Sequence, residues 1–497
     1  MAEHKTNLYS FFLALLGGAL LPLALAPFSW WPVAFFSICS LCFLCRGQNM
    51  REVFSISLVF GLGMYGIGTS WVYVSIHDYG HAPAELATPL TALFTFAMAF
   101  IFALPLSLFG LFRKAPPIAV LLAFPALWVL GEWSRSWFLT GFPWLNIGYG
   151  FIDTWIAGWA PVTGVMGLSG FIVFCGALIA LLTEYTASKR VISGGLIVAL
   201  LICAGGAGLS TLNWSRPSGE ALKVALVQPD QPLLEKWRDE ELKKILIDFK
   251  ETNEALYDQN LIIWPEAALP TLQNNIEGFL GDIDANLKEE FVGVITGIPS
   301  SEGGHQYYNS VIGLGRANGS YQKRRLVPFG EYVPLEQWLR GTIEFFDLPM
   351  SAFSAGAEQQ APIILGKVKI APAICYEIAY PDLLARDARD ANILLTVSND
   401  TWFGDSIGPH QHFQMARMRA LENAKPLLRV TNDGITAVID QRGKVREQLP
   451  RFEPGILKTD VTPFTGSTPF NRYGSLPLVG LCFAILFLLR TVRRFRE

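Results

Sequence analysis

Charge is scarce in this sequence. Only 16% of its 497 residues are Asp, Glu, Lys or Arg, against roughly a quarter in soluble domains. With a formal net charge of −3 and no basic stripe, the chain lacks the electrostatic footprint of a nucleic-acid binder. Histidine is also sparse, with six in all. The one large polar block, from about Asn213 to Arg472, holds His305, His410 and His412. His410 and His412 alternate but have no cysteine or third ligand at zinc spacing, so they read as an ordinary exposed pair. No metal or other cofactor is expected. Six of the seven cysteines lie in apolar runs: Cys39, Cys42, Cys45, Cys175, Cys203 and Cys482. The first three make no complete cluster motif, since a fourth ligand is missing, and they read as packing. The polar block has only Cys375, so no disulfide closes within it. Internal repeats and low-complexity segments are absent.

Apolar runs are what the chain has instead. It is 51% hydrophobic and 13% aromatic. A bilayer crossing takes about 20 apolar residues, and eight segments are candidates: Leu8–Ala26, Pro32–Cys45, Val53–Ile76, Glu85–Phe112, Ile118–Trp133, Pro161–Leu182, Val191–Leu209 and Ser475–Leu489. The second and last are short. The first leads straight into others, so a cleavable signal peptide is not expected. One alternating set of loops carries Lys5, Arg46, Arg51, Arg113, Lys114, Lys189 and Arg190, and the tail adds Arg490, Arg493, Arg494 and Arg496. The opposite short loops carry only Arg135. By the positive-inside rule both termini are cytoplasmic and the polar block faces away from the cytoplasm. The expected organisation is seven spans over 1–212, an extracytoplasmic domain over 213–474, and an eighth span with a basic tail over 475–497. The outer loops Pro27–Trp31 and Thr140–Trp159 are aromatic, as in an interfacial belt or a lipid-lined floor beneath the polar block. Glu132 and Arg135, three residues apart near the outer end of the fifth span, are expected to pair with each other, with headgroup binding as the alternative.

In the polar block, short β-branched runs alternate with helical stretches. Strands are expected at Lys223–Pro229, Asn260–Glu266, Val292–Pro299, Asn309–Gly315, Val368–Cys375, Asn392–Ser398, Leu427–Asn432 and Ile435–Asp440, the last two forming a hairpin across Asn432-Asp433-Gly434. Helices are expected at Leu233–Tyr257, Ile276–Glu290, Tyr380–Asp390 and His410–Asn423. Near-continuous apolar strands suit a sheet covered by helices, hence one α/β domain. Pro463–Pro477 reads as a linker to the last span.

Glu266, Lys323 and Cys375 fall at or just after strand ends, where α/β sheets collect ligands. Together they can perform acyl transfer. A thiolate is the nucleophile, a carboxylate takes its proton, and an ammonium with a backbone N–H holds the oxyanion. The alternative is a structural thiol, and a Cys–His dyad also stays open.

Three stretches carry a resemblance: WPEAALP at 264–270, KRRLVPFGE at 323–331 and ICYE at 374–377. In this order they resemble the signatures of the nitrilase, or carbon–nitrogen hydrolase, superfamily over about Leu222–Val461. The resemblance implies an α-β-β-α sandwich, a Glu266–Lys323–Cys375 triad and an additional carboxylate, Glu331. Ser398–Asn423 and the membrane-half motifs APFSWWP and TGFPWLNIGY extend the likeness to the apolipoprotein N-acyltransferase family. That likeness implies two-step transfer of the sn-1 acyl chain of a phospholipid, through a cysteine thioester, to the N-terminal diacylglyceryl-cysteine of a lipoprotein. It also implies roles for Trp237, as part of a lid, and for Tyr376 and Glu377 beside the nucleophile, Glu377 orienting Lys323 or receiving the amine. The expected partners are the phospholipid donor, the lipoprotein acceptor and the membrane; a monomer in a bacterial inner membrane is expected. The second reading is a membrane-tethered amidase or nitrilase with the same residues. The third, a transporter with an inert outer domain, fits poorly with spans so short of ionisable residues. Gly341–Gly356, with Phe345, Phe346 and Met350, is a candidate mobile, membrane-touching segment.

Overall fold

The computed structural model describes residues 8–182, 188–303, 306–332 and 352–494. Most of the expected mobile segment, with Phe345, Phe346 and Met350, lies outside the described residues, as do Lys5 and His305.

All eight apolar segments are helical: Leu8–Leu20, Val33–Cys45, Met50–Gly68, Ala84–Ser107, Pro117–Arg135, Ala160–Leu182, Lys189–Leu209 and Leu476–Arg494. Among the described residues, five stretches are long and apolar enough to cross a membrane: Met50–Gly68, Ala84–Phe112, Pro117–Arg135, Trp155–Leu182 and Lys189–Leu209. Leu8–Ala24, Val33–Cys45 and Leu476–Thr491 are shorter. Local chemistry sets the boundaries. Met50–Gly68 begins at a capping box, in which Asn49 Oδ1 accepts from the N–H groups of Arg51 and Glu52, and Glu52 Oε2 accepts from Asn49 N at 2.9 Å. Glycine lets this helix touch its neighbour backbone to backbone. A Cβ on Gly63 would lie 2.2 Å from Leu15 O, and one on Gly18 would lie 1.9 Å from Phe60 O.

The expected Glu132–Arg135 pair does not form. Glu132 Oε1 accepts from Trp128 Nε1 at 2.9 Å and Ile147 N at 3.2 Å. The Arg135 guanidinium donates to the Tyr65 hydroxyl and, at 3.2 Å, to Asn146 Oδ1. The irregular loop after the helix brings buried polar groups that compete successfully for both side chains.

The polar block folds as two facing sheets. One runs in the order Gly455–Val461, Leu222–Gln228, Leu261–Ile263, Gly293–Ser301, Tyr307–Gly315, Ser320–Gln322. The other runs Val445–Gln448, Ala437–Ile439, Leu427–Thr431, Ile393–Ser398, Val368–Ile374, Ile363–Leu365, Ala317–Asn318. Leu222–Gln228, Leu261–Ile263 and Gly293–Ser301 are mutually parallel, as are Val368–Ile374, Ile393–Ser398 and Leu427–Thr431. The expected hairpin is present as an antiparallel pair.

Side-chain alternation explains the layers. Val224, Leu226, Leu261 and Ile263 face Ile370, Ile374, Leu395 and Val397 between the sheets. Ala225, Val227 and Ile262 point the other way, onto Ile245 and Phe249 of the Asp239–Glu254 helix and Leu280 and Ile283 of the Glu277–Glu289 helix. On the second sheet, Ala371, Ala373 and Leu394 meet Leu383 and Leu384 of Pro381–Asp387 and Met415 and Met418 of Gly408–Asn423. That last cluster runs on without a break into the N-terminal helices. The result is an α-β-β-α sandwich with one helical layer seated on the apolar half.

Polar ties cross the same boundary. Trp144 Nε1 donates to Gln411 Oε1 at 2.6 Å, and Gln411 Nε2 donates to Gly68 O at 3.1 Å. The Ala160–Leu182 helix breaks at Gly164, φ +66°, and the freed N–H of Val165 donates to Glu422 Oε1 at 2.7 Å. The expected linker Pro463–Pro477 is more than a linker. Phe464–Gly466 pairs with Ser215–Pro217, and Pro469–Tyr473 is a short helix, so both chain ends of the domain are tied together.

Candidate active site

Glu266 stands three residues beyond the Leu261–Ile263 strand. Its loop turns sharply, with Ala267 at φ +47°, and rests on Gly297, where a Cβ would come within 2.5 Å of Ala267 N and 2.8 Å of Glu266 Cα. Only glycine allows that approach. Lys323 follows the Ser320–Gln322 strand directly. Its N–H donates to Asn309 O at 2.8 Å, and its carbonyl accepts from Gly356 N at 2.8 Å. Cys375 follows the Val368–Ile374 strand at φ +49°, a left-handed conformation unfavourable for a side-chain-bearing residue. Such strain persists where the surroundings hold it. Here His412 Nε2 lies 3.0 Å from Cys375 O, and Glu377 Oε2 accepts from Ile374 N at 2.8 Å.

These three residues line one cavity, together with Glu331, Tyr376 and Trp237. Lys323 Nζ lies 3.4 Å from Glu266 Oε1 and 2.8 Å from Glu331 Oε2. Asn309 Nδ2 bridges the two carboxylates, donating to Glu266 Oε1 at 2.7 Å and Glu331 Oε1 at 2.8 Å. Glu266 Oε2 accepts from Asn399 N at 2.8 Å, and Glu331 Oε2 from Val327 N at 2.9 Å. Both carboxylates are thereby fixed and accept charge-assisted hydrogen bonds. Burial opposes the Lys323 charge, but Glu331, Glu266 and Cys375 outweigh it and hold the ammonium above its usual value. Burial pushes the Cys375 thiol up and the Glu266 charge adds to that, with Lys323 pulling back. The resting group is therefore a thiol, which would have to give up its proton to act as a nucleophile.

The cavity measures about 540 Å³. Its floor belongs to the N-terminal half: Trp71, Leu93, Phe94, Ala97, Met98, Ile101 and Phe142 line it, with Arg135 as the charged residue among them. One continuous space thus joins the Cys375 thiol to the apolar helices.

The remaining residues singled out in the sequence separate. Tyr376 stacks on Trp144, with ring centroids 6.3 Å apart, and donates to Gly141 O at 2.9 Å. Trp237 lines the cavity from a single turn, Glu235–Trp237, before the Asp239–Glu254 helix rather than from within it. Its neighbour Lys236 donates to Ala267 O at 2.8 Å. Glu377 is fully buried and does not contact the Lys323 ammonium. Its oxygens accept from the N–H groups of Ile374 and Arg324 at 2.8 Å and from the Tyr321 hydroxyl at 2.8 Å. It ties the Cys375 turn to the Lys323 loop through backbone.

The histidine reading changes most. His412 is completely buried, not exposed. Burial and the Arg429 charge lower its pKa, against Asp400 and the Cys375 carbonyl, which raise it. Its Nε2 lies 3.0 Å from Cys375 O, and its Nδ1 lies 3.1 Å from both Arg429 Nη2 and Asp400 Oδ1. Arg429 is compensated by Asp400, at 2.5 Å. The ring therefore meets the backbone of Cys375, and the dyad left open in the sequence takes the form of a structural prop. His410 faces Arg451 at 3.4 Å. No cluster of three or more potential metal ligands occurs among the described residues. Asn309, Asn399, Asp400 and Arg429 had no motif of their own to mark them, although Asn399 and Asp400 lie in the Ser398–Asn423 stretch.

The part of the chain that carries this thiol, the two carboxylates and the lysine at its strand ends is a carbon–nitrogen hydrolase domain: the model of that family, "Carbon-nitrogen hydrolase", matches residues 223–469. Solved structures similar to this part include an amidase from Nesterenkonia sp. (20% identity, TM-score 0.35, covering 49% of this chain and 92% of that one) and a carbon-nitrogen hydrolase from Helicobacter pylori (15%, 0.37, 55% and 94%). A second model, "Apolipoprotein N-acyltransferase N-terminal domain", matches residues 17–178. Over nearly the whole length, the chain is similar to the apolipoprotein N-acyltransferases of Azotobacter vinelandii (43% identity, covering 95% of this chain and 93% of the relative) and Coxiella burnetii (38%, 96% and 99%). The chain belongs to the apolipoprotein N-acyltransferase family.

Proposed function

We propose that the protein moves an acyl chain from the sn-1 position of a phospholipid to the α-amino group of the N-terminal diacylglyceryl-cysteine of apolipoproteins. The observation that carries this reading is the cavity that runs from Cys375 into the apolar helices. A soluble amide needs no such floor, and an acyl chain does.

In the first half-reaction Glu266 takes the proton of Cys375 as sulfur attacks the sn-1 carbonyl. Lys323 and a backbone N–H beyond Cys375 hold the oxyanion; one such donor stabilises a transition state by about 3–4 kcal/mol. The carbon–oxygen bond breaks, Glu266 returns its proton to the glycerol oxygen, and lysophospholipid leaves a thioester on Cys375. In the second, the lipoprotein amine attacks the thioester. Glu266 takes the amine proton and delivers it to the departing sulfur, which regenerates the thiol. Glu331, which shares Asn309 with Glu266, keeps Lys323 charged and placed. Trp237 and Tyr376 guide the lipid past the thiol, and Glu377 holds the two loops in register.

Both lipid substrates live in a leaflet, so the site must open at its surface. The proposed topology is eight spans, with the three shorter helices completing the five long ones, both termini cytoplasmic, and residues 213–474 on the periplasmic side of a bacterial inner membrane. Shared packing between the domain and its own helices is consistent with a monomer.

Purified protein mixed with phospholipid labelled in one acyl chain and analysed by mass spectrometry tests this directly. The expected product is an sn-1 acyl adduct on the Cys375 peptide that disappears when a diacylated lipopeptide is added and reappears on its amine. An adduct on another residue, or release of the acyl chain only to water, overturns the proposal.

A further inference from the structure

Among the described residues, Arg135 is a buried cation that meets no anion. It is 2% exposed and lines the cavity that holds Cys375. A guanidinium has five N–H donors. Two acceptors meet it, the Tyr65 hydroxyl and Asn146 Oδ1 at 3.2 Å, while its Nε has no partner. No carboxylate of the described residues lies within ion-pair distance, and Glu132, three residues away, turns to Trp128 and Ile147 instead. The charge is set in a wall of Trp71, Phe94, Met98 and Phe142. An uncompensated charge in such surroundings costs several kcal/mol.

We infer that the missing anion is supplied by substrate, and that Arg135 binds the phosphodiester of the acyl donor while its sn-1 ester lies at Cys375. Three features favour that ligand. The acyl acceptor named above has no phosphate, so of the two lipids only the donor brings a negative charge there. The planar fork of arginine matches two phosphate oxygens. The geometry is also connected: Arg135 O accepts from Phe142 N at 2.7 Å, and Tyr376, next to Cys375, donates to Gly141 O at 2.9 Å. The loop that follows the helix end carrying the cation thus bonds back to it and touches the turn that carries the thiol, and the phosphate and sn-1 ester of a phospholipid sit on one glycerol. The apolar residues Leu93, Ala97 and Ile101 remain for the chain. Arg135 becomes a specificity residue that selects a phospholipid over a neutral diacylglycerol.

The inference rests on the acyl-donor reading, and the experiment separates the two. Thioester formation on Cys375 is followed with dipalmitoyl phosphatidylethanolamine and with dipalmitoylglycerol, each at limiting concentration, in wild type, Arg135→Gln and Arg135→Lys. A charge-assisted contact predicts that Arg135→Gln reduces the wild-type preference for the phospholipid by about tenfold or more. The loss should appear in the donor KM, with diacylglycerol acylation nearly unchanged. Arg135→Lys should keep part of the preference, because it keeps the charge. An unchanged preference in Arg135→Gln, or equal slowing with both donors, overturns the inference and leaves Arg135 the anchor of Tyr65 and Asn146. If Arg135→Gln does not fold, Arg135→Lys decides, since equal loss with both donors there has the same meaning. Absence of a Cys375 adduct with either lipid in wild type would instead sink the acyl-transfer reading itself.

Discussion

At the scale of single residues, the proposed chemistry hangs on a thiol that its surroundings keep protonated. Burial and Glu266 raise its pKa, and Lys323 opposes them. Iodoacetamide labelling of Cys375 in the free protein should therefore climb through pH 9, the ordinary thiol value, without levelling off below it. Replacing Glu266 by Gln removes a raising charge, so the labelling profile should move to lower pH even as acyl transfer falls about 10²- to 10⁴-fold, the usual worth of a general base. A profile that moves to higher pH in Glu266→Gln would reject this assignment of the charges. The chemical identities of these groups were legible in the sequence because each stands in a short motif at a strand end. Their supports were not. Asn309 is one asparagine in a strand, and His412 read as surface because a sequence does not reveal that the Gly408–Asn423 helix is covered on both sides. Glu132 and Arg135 had the right spacing to pair, yet loop groups distant in sequence captured both.

At the scale of elements, the joint between helix and domain is polar at a few chosen points. Glu422 accepts the N–H freed by the Gly164 break and lies 3.0 Å from Arg419 Nε, with both side chains fully buried. Burial pushes the Glu422 carboxyl up to about 7 despite Arg419. Glu422→Ala removes both the acceptor of the Val165 N–H and the partner of a buried guanidinium, and breaking a buried pair in this way typically costs about 3–5 kcal/mol. A marked drop in melting temperature in detergent is expected, and an unchanged one would mean that the pair does not hold the joint. The apolar core strands and most helices were readable from their uninterrupted hydrophobic runs. Gly455–Val461 escaped because, as an edge strand, it buries only alternate positions, and Ile363–Leu365 is too short to form a pattern.

At the scale of the whole molecule, the proposed acyl-chain cavity would set which lipid fits. Its floor includes Ala97, flanked by Phe94, Met98 and Ile101. Ala97→Trp should shorten the available space, so that transfer from long-chain donors falls at least several-fold more than transfer from short-chain donors, consistent with about 0.8 kcal/mol for each buried methylene displaced. Parallel assays with donors differing only in chain length measure this, and equal losses would place the chain elsewhere. The sandwich and the apolar helices are also bound by one unbroken cluster of buried side chains, and the domain's two chain ends are stapled by the Ser215–Pro217 and Phe464–Gly466 strands. Cooperativity follows from that continuity. A single melting transition in detergent is therefore expected for the two halves, and the 213–474 domain cut free of its helices should uncover the face formed by Leu383, Leu384 and Met418 and lose solubility along with its floor.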